Sequence, residues 1–296
     1  MNAKLTQTVI DLHGDRGRAW LDNLPNIIAM LEERWSLEVS LPFDELSYHY
    51  VAPALHADGT RRVLKLGVPN DEMYSEVNAL RTYDGLGIAR LLDADLEQGA
   101  LLLESCWPGN MLSAVNDDEE ATLIATQVMA QLWCPAPPEH DFKTAHYLAE
   151  GLQRMRHHFD GGTGPLPTLL VEKAECLFTE LLDSAGPPML LHGDFHHYNI
   201  LRAEREPWLA IDPKGVVGEP AFDVAAFMHN CMGDADPKER MARRADILST
   251  ELKLNRDRIL SWTFAQFILF GWWCIEDHGN GWQTPLRLAE IVDELM

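Results

Sequence analysis

Between Leu190 and Gly215 the chain reads LLHGDFHHYNILRAEREPWLAIDPKG. Three histidines, two aspartates and an asparagine lie here among short apolar runs, MLLH, NILRA and WLAID, that have strand character. The sequence on either side has helical period. A polar loop framed by strands inside a helical chain restricts the fold more than any other feature, because the strands must pair locally and the helices must bury their apolar faces around them.

Beyond CWPGN, apolar residues recur at three- and four-residue steps, which predicts helices over about 117–133, 144–159, 167–184, 220–232, 236–252 and 256–277. DGGTGPLP interrupts them as a surface loop. Before CWPGN the period differs. Leu21, Leu24, Ile27, Ile28, Leu31 and Trp35 predict a leading amphipathic helix over about 16–35. YHYVAPAL and RRVLKLGV are strand-like runs joined by HADGT, whose Asp-Gly suits a hairpin. DEMYSEVNALRTY then predicts a helix over 71–83, followed by the strand-like IARLLDAD and GALLLES. The expected class is α+β: a small antiparallel-sheet lobe over 1–105, with its leading helix, and a larger, mainly helical lobe over 106–296.

With 296 residues and 46% apolar composition the chain can bury a large core, and the nine tryptophans are expected mostly inside it. Its formal charge of −22 repels phosphate backbones and anionic lipid, so neither nucleic acid nor membrane is expected as a partner. The same charge attracts small cations. The five scattered cysteines form no CxxC pair and suit a reducing cytoplasm. No signal-peptide core is present at the start. No run approaches the roughly 18 apolar residues of a membrane span, and FILFGWWCI reads as a buried helix segment. A cytoplasmic monomer or homodimer is expected.

The polar loop has two chemical readings. His192, Asp194, His196 and His197 could ligate a transition metal directly. Against this, H-x-D-x-H-H matches no zinc-hydrolase spacing and no cysteine pair completes a site. Alternatively the oxygens of Asp194, Asn199 and Asp212 suit Mg2+, which takes hard oxygen donors shared with nucleotide phosphates. Phosphoryl transfer needs an aligned acceptor hydroxyl and neutralised charge, which such a set could supply with one lysine.

HGDFHHYNIL…AIDPKG resembles the catalytic and metal-binding segments of the aminoglycoside phosphotransferase family, relatives of the protein kinases. With GRAWLDNLP…RWSL, it is similar to the streptomycin 6-kinase and hydroxyurea-phosphotransferase branch, over about Gly14 to Asp277. The resemblance implies a two-lobed, protein-kinase-like fold and a small-molecule kinase using ATP and Mg2+. It implies Asp194 as catalytic base, His192 as a buttress of its loop, and Asn199 and Asp212 on the metal. Lys65 in VLKLG would contact the α- and β-phosphates, and Glu76 on the next helix would hold it, with Glu72 as the competing carboxylate. Taken singly, either charge reads as a solvated surface group. LLLESCWPG resembles the hinge, where backbone near Glu104 and Cys106 would meet adenine. Lys214 would add charge near the phosphates, and Asp223 would tie the helical lobe to the catalytic loop.

FDELSYHYVAP departs from the family at the nucleotide-covering loop, where glycines normally let backbone N–H groups approach phosphate. Ser47 would donate there, beside the bulky Tyr48 and His49. A pseudokinase-like nucleotide-binding module is the alternative this departure raises. The acceptor implied is a small molecule, foremost a cationic aminoglycoside such as streptomycin, with hydroxyurea or a metabolite as alternatives. Asp117 and Asp118, Glu219, and Glu276 with Asp277 are candidate ligands for its cationic groups. His197 is expected either to line the acceptor pocket or to stand exposed on the loop.

Overall fold

The computed structural model describes residues 3–44, 46–232 and 236–296. They group into two compact units: Met1–Gly109 with Arg202–Leu209, and Asn110–Leu201 with Ala210–Met296.

In the first unit, helix α1 (Ala3–Trp35) precedes strand β1 (Leu37–Val39), the hairpin β2 (Tyr50–His56) and β3 (Arg61–Leu66), helix α2 (Asp71–Tyr83), and strands β4 (Leu91–Asp95) and β5 (Ala100–Glu104). The strands form one antiparallel sheet in the order β1-β2-β3-β5-β4. Strand alternation sends Leu64 and Leu66 to one face, where they join Ala54, Ala100 and Leu102 against the α1 residues Leu21, Leu24, Ile27 and Leu31. Each leucine or isoleucine among them contributes about 1.5–3 kcal/mol when fully buried. Lys65 turns to the opposite face.

The leading helix starts at Ala3, earlier than the apolar period indicated. Gly14, with φ 55° and ψ −128°, breaks its course. A Cβ on Gly17 would lie 2.4 Å from the Val9 carbonyl oxygen, so glycine lets the two segments close on one another. Asn70 caps α2 by accepting from the Met73 N–H at 2.9 Å.

The second unit contains α3 (Asp118–Leu132), β6 (Cys134–Pro135), β7 (Lys143–Thr144), α4 (Ala145–Ala149), α5 (Gly151–His158), α6 (Thr168–Asp183) and β8 (Met189–Leu191). After the polar loop come the hairpin β9 (Ile200–Arg202) and β10 (Trp208–Ala210), whose residues Arg202–Leu209 group with the first unit, then β11 (Val216–Gly218), α7 (Ala225–His229), α8 (Pro237–Leu252), α9 (Arg256–His278) and α10 (Gln283–Asp293). The strands β6, β8, β11 and β7 form a small sheet in that order, with β11 parallel to β7. Neither this sheet nor α10 was expected from the sequence. The helix expected over 220–232 is a 3-10 turn, Pro220–Val224, followed by the short α7.

By length and composition α9 could cross a membrane, contrary to expectation. Its position explains its apolarity instead: Ile259, Leu260, Trp262, Phe264, Phe267, Ile268 and Leu269 are all buried, against α5, α6, α7, α8 and α10. Only four of the nine tryptophans, Trp20, Trp35, Trp262 and Trp272, are buried. Trp107 is exposed beneath the Arg61 guanidinium.

Candidate active site

The polar loop leaves β8 at His192 and enters β9 at Ile200, and its course is dictated by two anchors. The first is Asp223, in the turn before α7. Its carboxylate accepts from the backbone N–H of His192 at 3.0 Å and of Gly193 at 2.7 Å, and from the Trp133 indole at 2.9 Å. The second is His192 itself. Its Nε2 meets the Ile211 carbonyl at 2.8 Å and its Nδ1 accepts from the Asp194 N–H at 3.2 Å. An Nδ1 that accepts and an Nε2 that donates define the neutral tautomer, and complete burial holds the imidazole below its ordinary pKa. The backbone N–H groups of Lys214 and Gly215 both donate to the His192 carbonyl.

Gly193 has φ +80°, and a Cβ there would lie 2.5 Å from Val216 Cγ2. Glycine is required to turn the chain under β11. The Asn199 amide nitrogen donates to the Asp194 carbonyl at 3.0 Å, and the Ile211 N–H donates to the Asn199 carbonyl at 2.9 Å. Asp194, Asn199 and Asp212 are thereby held around one histidine. Asp212 adopts φ +58°, a left-handed conformation that aspartate tolerates better than most residues and that often marks functional positions. The Asp194 side chain stays 38% exposed, open to a reactant, with His196 Nε2 3.6 Å away.

Direct transition-metal binding by the histidines does not fit these bonds. Both His192 nitrogens are engaged, and His197 is buried with its ring stacked on Phe227 at 4.1 Å. His197 therefore neither stands exposed nor presents an open ring face. Burial, then the Arg244 charge, pushes its pKa down to about 3. The oxygens fit a hard cation better: the Asn199 nitrogen is bonded within the loop, and amide and carboxylate oxygens are the donors such a cation takes.

The other second-unit candidates are dispersed. Asp117 caps α3 through the N–H groups of Glu119 and Glu120. Glu219 is buried, accepting from Arg258 at 2.6 Å and from the Trp262 indole. Glu276 pairs with Arg154 at 3.2 Å and, with Tyr147, Glu150 and Trp272, lines a cleft of about 610 Å3. Asp277 is exposed. Asp118 is occupied by Arg240 and Arg244.

In the first unit, Lys65 Nζ meets both Glu76 oxygens, at 2.7 and 2.8 Å, with both residues buried. Neither is a solvated surface charge, and Glu72 is exposed on the first turn of α2. Glu104 accepts from Arg205 at 2.8 and 3.0 Å and from the Arg90 N–H at 3.0 Å. Burial first, and then Glu104, raises the Cys106 thiol to about 12, so it remains protonated. Ser47 is half-buried in the irregular segment before β2; Glu45 of that segment lies outside the described residues. A Cβ on Gly67 would lie 2.5 Å from the His49 ring, so the glycine that makes room is on the neighbouring strand's end.

Sequence reasoning missed Arg205 and Arg244. The signal for Arg244 was present: it interrupts the apolar stripe Met241, Ala245, Leu248 of α8, where a charge needs a buried partner.

The sheet-bearing unit, the helical unit and the Asp194 loop define a protein-kinase-like phosphotransferase fold. Solved structures share it: a thermostable mutant of an aminoglycoside phosphotransferase at TM-score 0.63 and 16% identity, covering 90% of this chain and 96% of that one, and a choline kinase of Streptococcus pneumoniae at TM-score 0.61 and 12% identity, covering 91% and 99%. Residues 34–278 match the model of the aminoglycoside/hydroxyurea antibiotic resistance kinases, and the chain belongs to that family. It is 34% identical over 270 residues to a streptomycin 6-kinase of Streptomyces griseus, covering 89% of this chain and 87% of that protein. It is 33% identical over 282 residues to a hydroxyurea phosphotransferase of Kitasatospora aureofaciens, covering 93% and 80%. The chain is thus an ATP-dependent small-molecule kinase.

Proposed function

We propose that this kinase moves the γ-phosphate of ATP to a hydroxyl of streptomycin or a closely related cationic aminoglycoside. The observation that carries the chemistry is the loop of Asp194 and Asn199, held by His192 and Asp223, with Asp212 following the Ile211 carbonyl that His192 meets. Asp194, fixed through its backbone and exposed through its side chain, orients the acceptor hydroxyl and takes its proton. Asn199 and Asp212 would hold Mg2+, which when bound supplies charge neutralisation on the phosphates. Lys65, set by Glu76, binds the α- and β-phosphates. Glu104 and Cys106 contribute backbone to the adenine site, and Ser47 a hydroxyl to the phosphates.

The streptomycin 6-kinase relatives, at 34% and 33% identity, support the acceptor class. A cleft lined by Glu150 and Glu276 offers carboxylates of the kind that bind guanidinium groups, and Arg154, which lines the same cleft, already holds Glu276 that way. Hydroxyurea is the second acceptor to try, on the strength of the phosphotransferase relative at 33%. The buried position of α9 and the free cysteines support a soluble, cytoplasmic protein.

ADP release from Mg-ATP, measured against streptomycin and hydroxyurea with Asp194→Asn alongside, tests the assignment. Loss of a positioned base lowers turnover by about 10²–10⁴-fold, with ATP binding retained. Equal turnover by wild type and Asp194→Asn would remove Asp194 from its role, and turnover of hydroxyurea alone would reassign the acceptor.

A further inference from the structure

Arg244 has no exposed surface, and its α8 neighbours Met241, Ala245 and Leu248 are apolar and buried. A guanidinium without water destabilises the fold unless its donors are satisfied and its charge is matched. Asp118, the first residue of α3, matches the charge. Its two carboxylate oxygens each lie 3.1 Å from Arg244 Nε, and Oδ1 lies 2.5 Å from Nη2. Arg240, one turn earlier on α8, bonds the same Oδ1 at 3.0 Å.

The remaining donors of Arg244 go elsewhere. Nη1 donates to the carbonyls of Phe227, Met228 and Asn230 at 3.0, 3.1 and 2.7 Å, and Nη2 to that of Cys231 at 3.3 Å. These carbonyls lie at the end of α7 and just beyond it, where a helix leaves its last acceptors unsatisfied. Cys231 departs with φ +53°. The guanidinium is the C-terminal cap of α7.

The same Nη2 is 3.5 Å from Nε2 of His197, whose ring stacks on Phe227 with planes 10° apart. His197 opens the 3-10 turn that ends at Asn199. One side chain of α8 therefore grips both the end of α7 and the turn that presents the Asn199 amide. We propose that Asp118 and Arg244 are a positioning pair: by holding His197 they fix Asn199, and so set how tightly a divalent cation is held beside bound nucleotide. The pair touches no reacting group, and its part rests on the assignment of Asn199 as a metal ligand. Lysine at 244 would keep the charge but lose the planar fork that reaches α7 and His197 together.

Calorimetry of ATP binding to the full chain, with and without Mn2+ as the cation probe, reads the metal's contribution as a ratio of affinities. Arg244→Lys is expected to reduce that ratio about 10-fold, in the range of lost outer-shell support, while metal-free ATP affinity stays at the wild-type value. A lowered thermal midpoint with an unchanged ratio would make the pair a structural prop and overturn the proposal. Asn199→Ala separates the two possible failures: an unchanged ratio there overturns the metal assignment itself. If Arg244→Lys does not fold, Asp118→Asn, which keeps the shape and removes the charge, is read by the same ratio.

Discussion

Lys65 and Glu76 occupy a buried position that charged residues hold only as a pair. Removing one partner strands the other. Lys65→Met is expected to lower unfolding free energy by about 3–5 kcal/mol, whereas Lys65→Met/Glu76→Leu should recover most of it. Urea unfolding reads both. If the lysine serves the nucleotide, ADP release stays low in the double variant, so recovered stability with recovered turnover would count against its phosphate role. His197 titrates differently. Its folded pKa, about 3, lies below the ordinary 6.5. Between those values the unfolded chain binds more protons, so stability present above about pH 6.5 is lost as pH falls. At about pH 5 this amounts to about 2 kcal/mol, and His192, lowered in the same direction, adds to it. Urea midpoints of wild type and His197→Gln, compared at about pH 7.5 and 5 in metal-free buffer, should converge toward acid; parallel lines would refute the account.

Among the elements, the hairpin β9–β10 carries Asn199 just before one end and Asp212 just after the other, while its tip, Arg202–Leu209, groups with the first unit. Arg205 in that tip donates to both Glu104 oxygens and to the carbonyls of Gly85 and Ile88. Arg205→Met strands Glu104 and is expected to cost about 1–3 kcal/mol, seen as a lower urea midpoint. An unchanged midpoint would mean that water replaces the guanidinium. Some elements were readable in advance because one period covers them: α2 spans Asp71–Tyr83, the run its apolar spacing indicated, α9 differs from expectation by a residue at its end, and α6 by a residue at each end. Strands β6, β7 and β11 are two or three residues long, too short for any period, and exist through partners distant in sequence. The segment before Gly14 was not read as helix, because a glycine break separates it from the stripe it extends. The polar loop stood out in the sequence because carboxylates, an amide and histidines rarely crowd between strands. The partners of Arg244 and Arg205 did not, since they lie 126 and 101 residues away.

At the scale of the molecule, the charge of −22 is a field as well as a composition. It concentrates cations near the surface and weakens as salt shortens the Debye length to about 8 Å under physiological conditions. KM for streptomycin, a di-guanidino cation, is expected to rise with ionic strength, while KM for uncharged hydroxyurea should not move. Equal salt dependence for the two would mean that the acceptor does not feel the field.

Asp223 fastens the loop of Asp194 to the floor of the helical unit through two backbone N–H groups and the Trp133 indole. The proposed acceptor cleft, by contrast, is bordered by surface residues of α4, α5 and α9, among them Tyr147, Glu150 and Glu276. On that proposal, reactivity and recognition belong to different parts of one unit. Substitution at those helix surfaces would change the address while leaving in place the bonds that hold the Asp194 loop, so the same reaction could be delivered to a different acceptor.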